Sequence, residues 1–434
     1  MNIGLIGILI ALAVLMFLVY KRINIILVSI FCCIIVALTS QLPVLETLKN
    51  EYMPGMTQFV TSNFLLFVFS AIFGKLMEES GAAFSFAKLI FKAFGARWAI
   101  YGGMIATALL VYGGVSNFVV VFTVFPIFLH IFKQANLPIR LIPGVIYAAG
   151  VTFAASMLPG TPSLNNIIPT QYIDTTPMAA PIVGLAASAV TIILIFLYFE
   201  YEFRRARQKG EIYQANEKAS MQLERMNTLK EANPILSILP MAALVITLNV
   251  FKLDILYCLL ISIFLVFALF YKNIGNTALT CVNQGISSAS SAILNSAAAV
   301  GFGSVVKVTA GFTAMVNALM GFGGNPMVSL GIITTIISGI TGSGTGGVGI
   351  TMQVFAQKYL ELGVNPEILH RIVAIASNGL DSLPHNGLVI TVILACGCTH
   401  KESYKPILVT SVIITIIALA ITIIMGIAMY PLAI

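Results

Sequence analysis

Charged side chains are scarce in this sequence. Of 434 residues, 23 are Lys or Arg, 16 are Asp or Glu, and 59% are hydrophobic. So little charge excludes a water-soluble globule, whose surface needs far more polar residues. Apolar runs of about 17 to 25 residues recur along the chain, the length that crosses about 30 Å of hydrocarbon as a helix. Barrel strands of alternating polarity are missing, so the sequence predicts an all-α polytopic membrane protein.

Other absences narrow the class. No basic residue precedes the first apolar run and no small-residue cleavage site follows it, so Ile3 to Tyr20 is expected to be a retained helix and not a signal peptide. The six cysteines lie mostly inside apolar runs, which argues against a disulfide framework. A glycine-rich nucleotide loop with lysine is also missing. We therefore expect no ATP dependence, no cofactor, and no metal beyond a co-transported Na⁺, with H⁺ as the alternative coupling ion.

The distribution of positive charge predicts orientation. The net charge is +7, but the basic residues are confined to short loops and one linker, which argues against a nucleic-acid partner. Short loops rich in Lys and Arg stay in the cytoplasm. This bias predicts a multi-pass protein of the bacterial inner membrane with both termini outside, and with the lipid bilayer as a partner.

One stretch near the end of the chain interrupts the apolar pattern. Between residues 376 and 391, Gly379, Pro384 and Gly387 prevent an unbroken helix, and Asp381 is the one acid well inside a predicted span. Freed backbone groups and a carboxylate are costly in hydrocarbon unless they line a polar cavity. We interpret the stretch as half of a transport site. A proline kink with a hydrogen-bonded aspartate is the plainer alternative.

A second polar, proline-rich stretch lies at 154–170, and two other apolar runs have glycine-rich interruptions of the kind found at re-entrant hairpin tips. Each half of the chain then has an odd number of crossings, which predicts inverted repeats with sites near one central plane. The predicted boundaries are 1–199 for the first repeat (hairpin about 100–132, broken helix about 142–170), 200–233 for a cytoplasmic linker, and 234–434 for the second repeat (hairpin about 327–360, broken helix about 364–396).

Short motifs accompany these hairpins. They are Phe73, Gly74, Leu76, Glu78, Ser80, Gly81 and Ala82 in the first half, and Gly342 to Thr345 in the second. In this order they make the chain resemble the gluconate permease family of the ion transporter superfamily. At the first hairpin tip, Ser116 and Asn117 are also similar to the tips of sodium-coupled dicarboxylate carriers. The resemblance implies a scaffold domain with a homodimer interface and a transport domain that moves as an elevator.

Candidate site residues come from the tips and the breaks. Neither region contains Lys or Arg, so an anion there would be held by helix dipoles, hydroxyls, amides and a co-transported cation. This favours a small monocarboxylate, hydroxy acid or sugar acid over a multiply charged anion. The predicted substrate-binding residues are Ser116, Asn117, Thr161, Asn165, Ser343, Gly344, Thr345, Asn378, His385 and Asn386. The predicted coupling-ion residues are Gly114, Ser116, Asn117, Gly160, Ser343 and Asp381.

Three functions match these residue types. The first is a symporter of a small organic anion driven by a Na⁺ or H⁺ gradient, and the second is a cation/proton antiporter using Asp381. His385 follows Asp381 by one helical turn, a spacing at which the pair could carry a proton. Ser382 would complete the residue types of a hydrolase, but the spacing suits a triad poorly, so the sequence predicts no enzyme. The remaining histidines, His130, His370 and His400, are expected at the ends of spans.

Overall fold

The structure, a computed structural model, describes residues 3–21, 23–217, 219–221, 231–314, 324–384 and 386–433. Within these ranges all regular secondary structure is helical. Seven of the described helices are long and apolar enough to cross a membrane, which confirms the prediction of an all-α polytopic membrane protein. His385, a predicted substrate-binding residue, lies outside the described residues.

Two long helices form the central helix pair, Met53–Glu79 and Ala278–Lys307. Small residues let their backbones approach, as is usual between membrane helices. At Gly285, for example, a Cβ atom would lie 3.0 Å from the Cα atom of Ile72. Five further helices lie around the central helix pair or next to one of its neighbours. They are Ile3–Tyr20, Ile25–Thr39, Val44–Thr47 with a π-helical turn at Leu48–Tyr52, Ile238–Asn249 and Ile255–Ile274.

The first hairpin consists of helices Ala82–Tyr112 and Asn117–Gln134, joined by residues 113–116. Its first arm begins 18 residues before the predicted start at position 100, since 100 minus 82 is 18. The basic residues that precede position 100 set the predicted start, but they do not end the helix; Lys88, for example, is paired with Glu231.

The second hairpin consists of helices Pro326–Thr341 and Gly344–Glu361. Gly342 makes the turn between them with a φ of +59°, a left-handed conformation that glycine adopts without steric cost. Ser343 caps the second arm, because its Oγ atom accepts a hydrogen bond of 3.1 Å from the amide of Gly346.

Two broken spans cross beside the hairpins. The first broken span contains a 3₁₀ turn at Ile139–Leu141, helix Ile142–Tyr147, a π-helical segment at Ala148–Met157, a non-helical stretch at 158–163, helix Leu164–Ile167 and a 3₁₀ turn at Ile168–Gln171. The second broken span contains helix Pro366–Ala376, non-helical residues at 377–384 and 386, and helix Gly387–Ala395. Pro384 removes a backbone donor within this break, so the helix cannot continue.

The remaining helices enclose the broken spans. Helix Pro181–Gln208 runs eight residues past the predicted start of the linker at 200. Within this extension Arg204 and Glu200, one turn apart, form an ion pair of 3.0 Å. The chain ends with helix His400–Ile407, a π-helical segment at Leu408–Ile413 and helix Ile414–Met429.

Candidate functional site

Three broken or re-entrant segments meet at Gly344, the first residue of the second arm of the second hairpin. A Cβ atom at this position would lie 2.8 Å from Asn165 Nδ2 and 2.8 Å from Asp381 Oδ2. These two atoms belong to the first and the second broken span. Any side chain larger than hydrogen at Gly344 would therefore push the segments apart.

Asp381 is the acid at this meeting point, and it is buried. Its Oδ2 atom accepts a hydrogen bond of 3.1 Å from the amide of Gly344, and its Oδ1 atom accepts one of 2.8 Å from Ser382 Oγ. The hydroxyl of Tyr147 lies 3.2 Å from the same Ser382 oxygen. Within the described part of the chain no basic side chain forms an ion pair with Asp381. A carboxylate here is stabilised by a helix amino terminus and a hydroxyl.

Asn165 connects all three segments. Its Nδ2 atom donates to Ser377 Oγ at 3.2 Å, and its Oδ1 atom accepts from Thr345 Oγ1 at 3.0 Å. Five of the predicted site residues thus lie together, namely Asn165, Ser343, Gly344, Thr345 and Asp381. Ser377, which the sequence analysis did not select, belongs to the same cluster. We call these six residues the junction site.

Two predicted substrate-binding residues have buried polar atoms without a partner among the described residues. These atoms are Thr161 Oγ1 and Asn378 Oδ1. The side-chain nitrogen of Asn378, Nδ2, donates a hydrogen bond of 3.4 Å to Thr415 Oγ1. A buried polar atom without a partner costs about 1–3 kcal/mol, so both positions are suited to receive a hydrogen bond from a bound molecule.

The first hairpin tip makes its contacts elsewhere. Gly114 forms the turn with a φ of +88°, and Ser116 packs against the central helix pair. Asn117 points to the π-helical segment, where its Oδ1 atom would lie 3.0 Å from a Cβ atom at Gly150. The hydrogen bonds of Asp381 among the described residues are to Gly344 and Ser382, not to the first hairpin tip.

Two further predicted residues have structural partners. The carbonyl of Gly160 accepts a hydrogen bond of 2.9 Å from Asn249 Nδ2, so it is already satisfied without an ion. The Oδ1 atom of Asn386 accepts from the amides of Leu388 and Val389, at 2.7 and 2.9 Å. Asn386 is therefore the N-cap of the helix that follows the second break.

Arg371 is the main polar residue that sequence reasoning missed. It is completely buried, and its guanidinium donates to the carbonyls of Ala179 and Pro177 and to Asn166 Oδ1, at distances of 2.8 to 3.2 Å. These partners follow or belong to the first broken span, whereas Arg371 precedes the second break. The guanidinium thus fastens one broken span to the other. The signal in the sequence is an arginine directly after a histidine inside a predicted span.

His370 was expected at the end of a span, and it lies in the second turn of helix Pro366–Ala376. His370 is fully buried, and its ring nitrogens lie 3.1 Å from Asn166 Oδ1 and 2.9 Å from Thr175 Oγ1. Proximity to a helix end suggested an interfacial position. His370 is nevertheless buried, because Asn166 of the first broken span and Thr175, which follows that span, both contact its ring.

Comparison with known proteins identifies the family. The family described as citrate transporter, CitMHS, matches residues 8–277. The uncharacterized transporter YxjC of Bacillus subtilis (strain 168) is 33% identical over 455 residues, which cover 95% of this chain and 96% of that protein. The chain belongs to the CitMHS citrate transporter family. Membership confirms the predictions that this CitMHS protein is a membrane transporter and not an enzyme.

The resemblance to gluconate permeases was misleading, and that prediction is wrong, because the matching family is CitMHS. The motif glycines reflect backbone requirements. Gly81 and Gly342 have φ values of +75° and +59°, a left-handed conformation that glycine adopts without steric cost. Such requirements follow from hairpins and helix breaks, so they do not distinguish one family of transporters from another.

Solved structures show a related fold. The Alcanivorax borkumensis YdaH transporter has a TM-score of 0.57 at 14% identity, and the match covers 88% of each chain. Neisseria gonorrhoeae MtrF, described among a class of antimetabolite efflux pumps, has a TM-score of 0.53 at 15% identity, over 90% of the CitMHS chain and 85% of its own. At these identities the likeness concerns the fold alone.

Proposed function

We propose that this CitMHS transporter is a symporter that moves a citrate-like hydroxycarboxylate together with Na⁺ or H⁺. The observation that carries the proposal is the junction site, where the buried carboxylate of Asp381 meets the helix amino terminus at Gly344. Helix amino termini bind carboxylates, and a buried carboxylate needs a cation or a proton. One site therefore contains a helix amino terminus, which donates to Asp381 in this structure, and a buried carboxylate; binding of a cation or a proton by Asp381 would free that amide for the carboxylate of a substrate.

The junction site can hold substrate through several polar atoms. Thr345 Oγ1 donates a hydrogen bond of 3.0 Å to Asn165 Oδ1. Both side chains can exchange this hydrogen bond for hydrogen bonds to a ligand. Thr161 Oγ1 and Asn378 Oδ1 are the additional groups without partners. The family description favours a hydroxycarboxylate over the monocarboxylate or sugar acid expected from the sequence. A co-transported cation offsets part of its additional negative charge.

The mechanical part of the proposal is an elevator working as a homodimer, with inverted repeats at 1–199 and 234–434 and a linker at 200–233. The order of elements supports it, since each half has a hairpin followed by a broken span. Placement of the termini outside and of the linker inside the cell belongs to the same proposal.

A second candidate function is cation/proton antiport. The hydrogen-bonded series from Tyr147 through Ser382 to Asp381 favours it, because hydroxyls in contact can pass a proton to a carboxylate. In this function Asp381 binds the cation and the proton in turn and no organic anion crosses.

Uptake of labelled citrate by proteoliposomes tests both functions. Asp381→Asn keeps the size of the side chain but cannot ionise, so we expect gradient-driven accumulation to be lost while citrate exchange remains. Asp174→Asn makes the same change at an exposed position and should transport as the wild type does. Accumulation that survives Asp381→Asn with the same ion dependence would contradict the role of Asp381. Cation/proton exchange without any citrate movement would establish the antiporter, and a requirement for ATP would exclude both functions.

A further inference from the structure

The two oxygens of the Asp381 carboxylate have different surroundings. Oδ2 accepts from the amide of Gly344 at 3.1 Å. It faces the junction site, because this oxygen and Asn165 Nδ2 both lie 2.8 Å from the position that a Cβ atom of Gly344 would take. Oδ1 accepts instead from Ser382 Oγ at 2.8 Å, and Ser382 is not part of the junction site. The oxygen at which a coupling cation binds therefore decides whether that cation affects the substrate.

The hydrogen bonds from Tyr147 through Ser382 to Asp381 run in one direction. An ionised carboxylate accepts hydrogen bonds but cannot donate them, so the hydroxyl proton of Ser382 points to Oδ1. The Ser382 oxygen then accepts from the hydroxyl of Tyr147, 3.2 Å away. Tyr147 is completely buried, and Ser382 is its one hydrogen-bond partner among the described residues. Both hydroxyl protons therefore point toward Oδ1.

This direction disfavours a cation at Oδ1. A proton or Na⁺ at Oδ1 requires the proton of Ser382 to turn toward Tyr147. The hydroxyl of Tyr147 must then turn as well, and the described residues offer no other acceptor for its proton. A buried donor without a partner makes such an arrangement rarer by roughly 5- to 150-fold.

A cation at Oδ2 has a different consequence. A proton or Na⁺ on this oxygen repels the N–H group of Gly344, which also points at it. The amide then loses its acceptor and becomes free for a carboxylate of the substrate, which a helix amino terminus attracts. The substrate in turn supplies the partner that this buried amide would otherwise lack. Cation and substrate therefore favour each other's binding.

We propose that Tyr147 is a positioning residue that, through Ser382, directs the coupling cation to Oδ2 of Asp381. The inference rests on the proposed function, in which Asp381 binds the coupling ion. Tyr147 contacts neither cation nor substrate, but it closes the oxygen at which a cation could bind without releasing the amide of Gly344. The other titratable group beside this series, among the described residues, is Tyr404 of helix His400–Ile407. Its hydroxyl donates to the backbone carbonyl of Ser382 at 3.1 Å, so it leaves the Ser382 hydroxyl unrestricted.

Equilibrium binding of labelled citrate to the purified full chain in detergent tests this proposal. The Kd for citrate is measured over a range of Na⁺ concentrations at fixed pH, and over a range of pH at fixed Na⁺. For the wild type we expect the Kd to fall roughly 5- to 150-fold as the coupling ion saturates Asp381. Tyr147→Phe removes only a hydroxyl, so the ion can then bind at Oδ1 and the fall should shrink to about twofold or less. All variants are compared under identical conditions, so changes in the ionisation of citrate itself cancel.

Two other variants make the comparison specific. Tyr404→Phe is the matched control, because it removes the same group from a tyrosine whose hydroxyl contacts the carbonyl of Ser382. It should keep the ion dependence of the wild type. Ser382→Ala removes the hydroxyl through which Tyr147 acts, so it should lose the ion dependence as Tyr147→Phe does. The double variant Tyr147→Phe with Ser382→Ala should lose no more than either single variant.

The outcomes separate this inference from the proposed function. Ion dependence that is lost in Asp381→Asn but unchanged in Tyr147→Phe and Ser382→Ala would overturn the role of Tyr147 alone, and so would an equal loss in Tyr147→Phe and Tyr404→Phe. Citrate binding that no ion alters in the wild type would remove the proposed symport and this inference together. Thermal unfolding in detergent reports whether each variant folds. If Tyr147→Phe does not fold, Ser382→Ala decides.

Discussion

Replacement of Gly344 by alanine is the sharpest test of the junction site. The added Cβ atom would lie 2.8 Å from both Asn165 Nδ2 and Asp381 Oδ2, whereas ordinary contact begins at 3.4 Å. Both atoms would have to move by about 0.6 Å, the difference between these distances. Overpacking of this kind costs about 1–3 kcal/mol. If all of this free energy opposes binding, the affinity for the substrate or the coupling ion falls roughly 5- to 150-fold.

The matched control is Gly346→Ala, two residues further along the same helix. There the added Cβ atom would lie 3.5 Å from its nearest neighbours, the Cβ and Oγ atoms of Ser343, so it fits without displacement. Both variants gain the same preference for helix over coil, about 0.5–1 kcal/mol. Any difference between them therefore reports the crowding at the junction.

Proteoliposome uptake at varied citrate and Na⁺ or H⁺ concentrations measures the effect. For Gly344→Ala we expect KM for citrate, or the half-activating ion concentration, to rise by the factor given above. Gly346→Ala should stay within about twofold of the wild type. The reasoning fails if the two variants transport alike.

Two further predictions concern residues with structural partners. Arg371→Lys leaves the carbonyls of Ala179 and Pro177 and the side-chain oxygen of Asn166 with fewer hydrogen-bond donors, so it should destabilise the protein by at least about 2 kcal/mol. Thermal unfolding in detergent measures this loss, and Arg207→Lys at an exposed position is the control. Equal unfolding temperatures of the two variants would refute the prediction. Asn386→Ala removes an N-cap worth about 1 kcal/mol and should lower stability while KM stays the same. Asn386→Asp restores the cap and should restore stability, whereas a raised KM in both variants would make Asn386 a substrate contact.

The positions of the breaks were predictable because their causes are local. The second break is indicated within a few residues by Gly379, Asp381 and Pro384. The long spans are predicted by hydropathy alone. Proline geometry and the cost of charge in hydrocarbon act at the residue itself, so a linear reading detects them. The start of the first hairpin arm was harder to predict, because basic residues precede position 100 and Lys88 finds its partner, Glu231, 143 residues away in sequence.

The partners within the site were not predictable in the same way. Asn165 and Thr345 are 180 residues apart in sequence, and Arg371 finds the carbonyl of Ala179 at a separation of 192. No local pattern encodes such pairs. Symmetry between halves suggested that Ser116 and Asn117 join Asp381, but the contacts of Asn117 lead to Gly150. The family also escaped detection, because the motif glycines report turn geometry.

The two hydrogen bonds of Asn165 limit how far the first broken span can move relative to the second hairpin and the second broken span. Sliding the first broken span past the second hairpin or the second break would sever a partly buried hydrogen bond worth about 1 kcal/mol. Sliding past the second broken span would also break the Arg371 contacts. We infer that these three segments move as one rigid body during transport. Relative movement then occurs at the interfaces between this body and the other helices. Spin labels at the exposed residues Thr176 and Leu362 should then keep the same separation with and without citrate. A change of several ångströms would show that the body divides.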